Sequence, residues 1–470
     1  MKTQGGSLSL KNGSTIVIIG AGPAGTFFAD FALDIVRSKG LNISIILFDG
    51  KDFTKSGPKG CNLCAGVISE TLVERLKARG IVLPGEKVQR KISGYYIHGR
   101  AGSFLLSHPQ NESRITTVFR GNGPRQSGRE TNVSFDDYLL EHVRNKGLQL
   151  IRKSVKRVEL PQDPKAPIRV IYGTGDEETV LESDLVVGAF GLSGSMMKKM
   201  QDLRFGYRPP DTIRARNMEI RLGGDFIHKY FSDNIFTYNL STAKGMRVVS
   251  IIPKKEYITV NMIGKKDVKS EELASFLDRL VLRGQLPKNS DWSKSFCGCS
   301  PKVATTAAEK PFTNRLVIIG DASCSRYYKN GIESAFITAR LAARAAFAWG
   351  ISDSAFNTGY FKRVKKIIVK DNFYGRILFK INDLVSGSTF LSEVLIKALT
   401  NENRYSEMKD IRDVLWNMYT GNIPYKRIFL KFINPALQWE LTFTTLQLIL
   451  TKMVSKLSSL FHREKRKKVQ

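Results

Sequence analysis

Thr15-Ile-Val-Ile-Ile-Gly20-Ala-Gly22-Pro-Ala24-Gly25 is the stretch on which the reading of this 470-residue chain turns. Its first five residues are β-branched and uncharged, the pattern of a short buried strand. Three glycines then follow at the spacing G-x-G-x-x-G. Gly20 permits a tight turn, Gly22 lets the backbone approach a pyrophosphate, and Gly25 lets a helix pack on the strand. Residues 24–39, opening at Ala24, read as that helix, and its free N–H groups point at the phosphates. Residues 43–49 (ISIILFD) read as a second strand, and Asp49 at its end is placed for the adenosine ribose hydroxyls. Strand, turn, helix, strand and terminal acid agree on a βαβ unit, a dinucleotide site and a doubly wound α/β fold.

Two further segments bear on which dinucleotide. Arg315-Leu-Val-Ile-Ile-Gly320-Asp321-Ala322 puts an acid directly after a buried strand, where its carboxylate would bind the ribityl hydroxyls of a flavin laid across both halves. The plainer reading of Gly320-Asp321 is a strand-end turn with a helix cap. Asp184-Leu-Val-Val-Gly188-Ala-Phe-Gly191 supplies the strand and small-residue turn between them. The order of the three motifs resembles that of the glutathione-reductase-like FAD flavoproteins.

Outward from these motifs, the chain divides as a Rossmann-like FAD-binding domain (14–205 and 300–350) interrupted by an antiparallel substrate-binding sheet (206–299). A flexible N-terminus (1–13), a helical C-terminal region (351–461) and a basic tail (462–470) complete it. Strands are expected at 148–158, 168–172, 179–187, 215–222, 246–252 and 257–263, and helices at 69–79, 135–146, 270–283 and 332–349.

Composition narrows the partners. Lys and Arg number 73 against 43 Asp and Glu, a formal net charge of +30, while 42% of residues are hydrophobic. That apolar share excludes wholesale disorder and disulfide scaffolds, and the charge asks for an anionic partner. The polar start lacks the apolar core of a signal peptide, so the five cysteines read as thiols in a reducing, cytoplasmic compartment. No run reaches the roughly 20 apolar residues of a spanning helix.

Within the flavoproteins the chain resembles the geranylgeranyl reductase family, over about residues 14–350. The resemblance rests on the three motifs above, on Gly60-Cys61-Asn-Leu-Cys64-Ala-Gly66, and on Lys329-Asn-Gly331-Ile332-Glu-Ser-Ala335. It implies FAD, a cysteine loop set against the flavin ring, and electrons from NADPH or a ferredoxin. The implied reaction is reduction of carbon–carbon double bonds in an isoprenoid chain. Gly331-Ile332 would open a helix whose dipole stabilises an anionic reduced flavin by up to about 1–2 kcal/mol. Three departures from related patterns stand out. Met246-Arg-Val-Val-Ser-Ile-Ile-Pro253 keeps only the proline of the family's aromatic-rich stretch. Phe190-Gly191 replaces the Asp-Gly of aromatic hydroxylases. The cysteine loop reads C-x-x-C-A-G, not the commoner Cys-Gly-Glu.

Cys61 and Cys64 form one close pair, Cys297 and Cys299 another. Pocket or packing residues are the plainest reading; a redox dithiol and a four-thiolate metal site stay open, and no metal ligand is assigned. Cys64 is the candidate catalytic thiol, and Tyr328 the candidate proton donor, since reduction of a double bond needs an acid opposite the hydride, with a core or pocket-wall aromatic the plainer reading of Tyr328. The resemblance implies an arginine at the cofactor near Arg120, in a Gly-rich basic loop; its fork could equally hold a substrate diphosphate, and a solvated loop is the plainer reading. The segments 427–433 and 446–461 put apolar residues at helical spacing ahead of the basic tail, as in a helix lying on anionic lipid. A helical cap packed on the protein is the alternative.

The resulting expectation is an FAD-dependent reductase of isoprenoid or other lipid double bonds, docked on the inner face of the membrane. The alternatives are an FAD monooxygenase of a hydrophobic substrate and a flavin-dependent RNA-modifying or RNA-binding protein. No RNA module is present to support nucleic acid as a partner.

Overall fold

In a computed structural model, which describes residues 8–467 apart from 109, 111, 113, 126, 128–130, 243–244, 288–295 and 401–407, Thr15–Ile19 lies inside a six-stranded sheet. The order is Phe312–Thr313, Leu316–Ile318, Leu185–Gly188, Thr15–Ile19, Ser44–Phe48, Gln149–Ile151. All pairs are parallel except the Phe312–Thr313 edge. The strands carry unbroken apolar runs because both faces are covered. Ile16 and Ile18 pack with Phe27 and Phe28 of helix Pro23–Ser38 and with Phe336 and Ala339 of helix Gly331–Ala348. Val17 and Ile19 point the other way, onto Val155, Val158 and Val170 of a three-stranded sheet and Met196 and Met200 of helix Gly194–Asp202.

The single run expected at 179–187 is two strands, Thr179–Ser183 and Leu185–Gly188, parted at Asp184. The Asp184 carboxylate accepts the Thr15 amide at 2.9 Å and Arg315 Nη1 at 3.2 Å. One side chain thus ties three strands of the nucleotide half at their N-terminal ends.

The second sheet has seven strands, in the order Phe296–Cys299, Arg216–Arg221, Tyr257–Gly264, Gly245–Pro253, Asn234–Thr242, Gly94–His98, Ser103–Ser107. It therefore draws two strands from 94–107, within the segment assigned to the nucleotide half. Gly94–His98 runs parallel to Asn234–Thr242, while the other pairs are antiparallel. One face buries Ile220, Val249, Ile251 and Val260 against helices Gly224–Phe231 and Ser270–Leu282. Elsewhere Tyr95, Ile97, Ile235 and Ile252 pack against C-terminal residues Leu378, Val414, Trp416 and Tyr425.

The expectation of a flexible segment 1–13 is corrected from Leu8 onward. Leu8 and Leu10 pack on the core, the Leu8 carbonyl accepts the Ile351 amide at 2.8 Å, and the Gly13 amide donates to Asn42 at 2.7 Å. Residues 1–7 lie outside the described residues. The C-terminal region is helical as expected, ending in Lys370–Gly387, Thr389–Thr400, Met408–Thr420, Tyr425–Phe432 and Pro435–Lys467. The last of these carries the backbone of the basic tail to Lys467, and 468–470 are outside the description. Among the described residues no helix is long and apolar enough to cross a membrane.

Candidate functional site: a dinucleotide crevice beside a thiol-lined cavity

From Thr15–Ile19 the chain goes to Ser44–Phe48 on one side, and Leu185–Gly188 enters on the other. The crevice at the C-terminal ends of these strands is where such folds take ligands. Gly20 (φ +108°) needs its glycine, because a Cβ there would sit 2.6 Å from the Ala189 carbonyl oxygen. At Gly25 a Cβ would fall 1.9 Å from the Gly20 carbonyl oxygen, so this position holds helix against strand. Gly22 differs: a Cβ would meet only Asn62 Nδ2, at 3.5 Å. Two glycines are thus consumed by packing and the middle one keeps a face open. Gly22 also caps helix Pro23–Ser38, so the first-turn amides are left for a ligand.

The second half of the crevice meets the first directly. Gly320 (φ +67°) lies so close to Ala24 that a Cβ would be 2.9 Å from the alanine methyl. Asp321 follows, and its Oδ1 is buried without a hydrogen-bond partner. Burial raises its pKa, against a Ser325 hydrogen bond and the charge of Arg120. Helix Gly331–Ala348 begins beside it, with Gly331 placed so that a Cβ would be 3.5 Å from Asp321 Oδ1 and Ile332 buried behind. Gly188 serves packing: a Cβ would strike the Phe190 ring at 2.6 Å. Asp49 accepts the Ala21 and Lys51 amides, both at 2.7 Å, which pins its strand end to the glycine turn. Burial pushes its pKa up and those two amides oppose the shift.

Arg120 is buried, and its fork is taken by Asp136 at the start of helix Phe135–Arg144, Nη2 to Oδ2 at 2.9 Å. Asn62 Nδ2 donates to the same carboxylate. The Cys61–Cys64 loop is therefore fixed between the Gly22 opening and the Arg120–Asp136 pair.

Both cysteine pairs line one cavity, with Arg120, Phe119, Asn217, Glu219 and Lys254. Sequence gave no reason for Cys64 and Cys297 to meet. They do so because strand Phe296–Cys299 pairs with Arg216–Arg221 in the register Asn217↔Cys299 and Glu219↔Cys297. Residues two apart on a strand share a face. Lys254 and Glu219 form a buried ion pair at 2.8 Å, with Thr259 donating to the same Glu219 oxygen and Lys254 Nζ 4.0 Å from the Phe119 ring centroid. No motif announces either residue in the sequence. Burial pushes the Cys299 thiol up to about 12 and raises that of Cys61, the latter against the Leu63 amide. Among the described residues no group of three or more His, Cys, Asp or Glu has the geometry of a metal site.

Tyr328 is not among the residues lining that cavity. Its backbone is left-handed (φ +58°), its hydroxyl donates to the Gly264 carbonyl at 3.2 Å, and burial raises its pKa. The loop that holds it is latched to the C-terminal helices. Arg326 donates to the Gly421 and Ile423 carbonyls, Lys329 Nζ to Tyr419 O at 2.9 Å, and Asn330 Nδ2 to Gly421 O at 3.0 Å. Burial brings the Lys329 ammonium down to about 8, aided by nearby Arg326.

No family model matches the chain, and no curated protein matches it in sequence. Solved structures do. A geranylgeranyl bacteriochlorophyll reductase-like protein from Thermoplasma acidophilum superposes with a TM-score of 0.61 at 14% identity, over 89% of this chain and 98% of that one. A flavoprotein/dehydrogenase from Cytophaga hutchinsonii gives 0.62 at 14% identity, over 92% and 99%. The chain has the fold of FAD-dependent oxidoreductases. HpxO of Klebsiella pneumoniae, complexed with FAD, shares this flavoprotein fold with a TM-score of 0.54 at 14% identity, over 89% and 99%.

Proposed function

We propose that this chain is an FAD-dependent oxidoreductase that reduces carbon–carbon double bonds of an isoprenoid or other lipid at a membrane surface. NADPH or a ferredoxin would be the electron donor. The observation that carries the cofactor assignment is the pairing of an open face at Gly22 with an unpartnered buried Oδ1 at Asp321, in two turns that touch through Gly320 and Ala24. A flavin dinucleotide has a pyrophosphate for the first and ribityl hydroxyls for the second. The lipid assignment is supported by the outermost helix, where Trp439, Phe443, Leu446, Leu450, Met453 and Val454 are at least half exposed on a chain of net charge +30.

FAD, when bound, would supply two-electron chemistry at its ring. The chain's own residues do the rest. Gly22 and the amides after it seat the pyrophosphate, and Asp321 accepts from the ribityl chain. The N-terminus of helix Gly331–Ala348 offsets negative charge at the ring, worth up to about 2 kcal/mol. Cys64, whose sulfur accepts the Gly66 amide at 3.4 Å, lines the cavity and is the proposed proton donor. Tyr328, the other candidate acid, has its hydroxyl committed to Gly264.

An anaerobic assay tests this reading. Reduced holoenzyme with prenyl lipid in anionic vesicles should add two hydrogens per double bond without oxygen. A hydroxylated product that forms only in air would make the chain a monooxygenase. Salt-sensitive RNA binding without vesicle binding would overturn the lipid assignment.

A further inference from the structure

Four of the five cysteines line a single cavity, two on the loop that faces Gly22 and two on the edge strand of the other sheet. Packing alone would call for small apolar residues there, yet the same wall holds the Lys254–Glu219 ion pair and Arg120. The loop sulfurs are oriented by amides of their own turn, Leu63 N–H onto Cys61 Sγ at 3.3 Å and Gly66 N–H onto Cys64 Sγ at 3.4 Å. The Leu63 amide and the charges of Arg120 and Lys254 work against the upward shift that burial gives the Cys61 thiol. Among the described residues the four lack metal-site geometry. On the strand, Cys297 and Cys299 have Cα atoms about 6.6 Å apart at the usual rise, near the outer limit for a disulfide. A bridge is therefore better made across the cavity than along the strand.

We propose that this cavity is a thiol–disulfide site, in which Cys61 and Cys299 close a bridge between the nucleotide half and the seven-stranded sheet. The oxidant is a small-molecule disulfide of the glutathione class. The Cys61 thiolate attacks one of its sulfurs, the S–S bond breaks, and one thiolate leaves. The Cys299 thiolate then attacks Cys61 in the mixed disulfide and expels the second. Two S–H bonds are lost from the chain, one S–S bond forms, and the two protons end on the two released thiols. Cys61 reaches the cavity from the loop and Cys299 from the edge strand, so a bond between them crosses it. The bridge spans the cavity beside the Gly22 opening, so the oxidised chain has that cavity strapped shut. Burial of both thiols makes the exchange slow near neutrality and faster as pH rises.

Peptide mapping of the full chain after incubation with oxidised glutathione tests this. The expected product is a Cys61–Cys299 linked peptide that grows with the oxidised fraction, forms faster at higher pH and vanishes with dithiothreitol. Cys324, fully buried away from the cavity, should stay a thiol. In Cys299→Ser the expected species is a stable glutathione adduct on Cys61. The proposal is overturned if all five cysteines stay alkylatable after unfolding, if Cys61 links to Cys64 with Cys299 free, or if stoichiometric zinc protects all four until it is chelated. None of these readouts needs bound flavin, so failure of the flavin reading and failure of this one are distinguishable.

Discussion

Replacing Asp321 by Ala should move stability and cofactor binding in opposite directions. In the chain without ligand, Oδ1 is buried with no partner, and such a group costs about 1–3 kcal/mol. Removing it should raise the unfolding free energy of the apoprotein by about 1 kcal/mol once the small void is allowed for. The same carboxylate, accepting a ribityl hydroxyl, should contribute the about 1.5–3 kcal/mol of a charge-assisted bond. Its loss should therefore weaken flavin binding roughly 10- to 100-fold. The pH dependence has a fixed sign. The folded carboxyl has its pKa raised above the ordinary 3.8, so the folded state holds its proton longer than the unfolded one. Apoprotein stability then falls as pH climbs through and above that value, and Asp321→Ala should flatten the fall. Urea midpoints of the apoprotein between pH 4 and 7, with a flavin fluorescence titration, measure both effects. A variant that is less stable without flavin, or that binds flavin as the unchanged chain does, would refute the argument.

Gly25→Ala places its Cβ 1.9 Å from a carbonyl oxygen and should cost more than about 3 kcal/mol, read as loss of folded protein, whereas Gly22→Ala should leave the melting temperature alone and lower flavin occupancy. Lys254→Met strands the Glu219 carboxylate and should destabilise by about 3–5 kcal/mol in denaturant titration, largely restored by the double variant with Glu219→Gln. Trp439→Asp with Phe443→Asp should abolish sedimentation with anionic vesicles while the melting temperature stays within about 1 °C, because both side chains are exposed. Retained vesicle binding would remove that helix from the proposed docking surface.

The nucleotide half was legible because its strands are local statements. Residues 16–19 and 316–319 have both faces covered and so are apolar throughout, and each run leads into the glycine its turn needs. Strand Asn234–Thr242 escaped notice because polar residues stand among its inward positions: Thr237 and Asn239 are buried, and Asn239 donates to Tyr419 on a C-terminal helix. Gly94–His98 pairs with it across some 140 residues of sequence, a neighbourhood no local pattern encodes. The cysteines show the same limit. Each pair was visible as a pair, but their meeting depends on the register Asn217↔Cys299, and Lys254 reaches Glu219 only once the sheet has formed.

The loop from Arg326 to Asn330 rests on backbone carbonyls of Tyr419, Gly421 and Ile423 and leads straight into the helix that starts beside Asp321. Carbonyl oxygens cannot rotate away as side chains do, so this joint has little give. A displacement of the C-terminal helices would have to break those contacts or be transmitted to Gly331. The outer helix packs on the two helices that flank those carbonyls, and through them it is joined to the crevice beside Asp321. A chain cut before Met408 would lose the carbonyls that hold this loop.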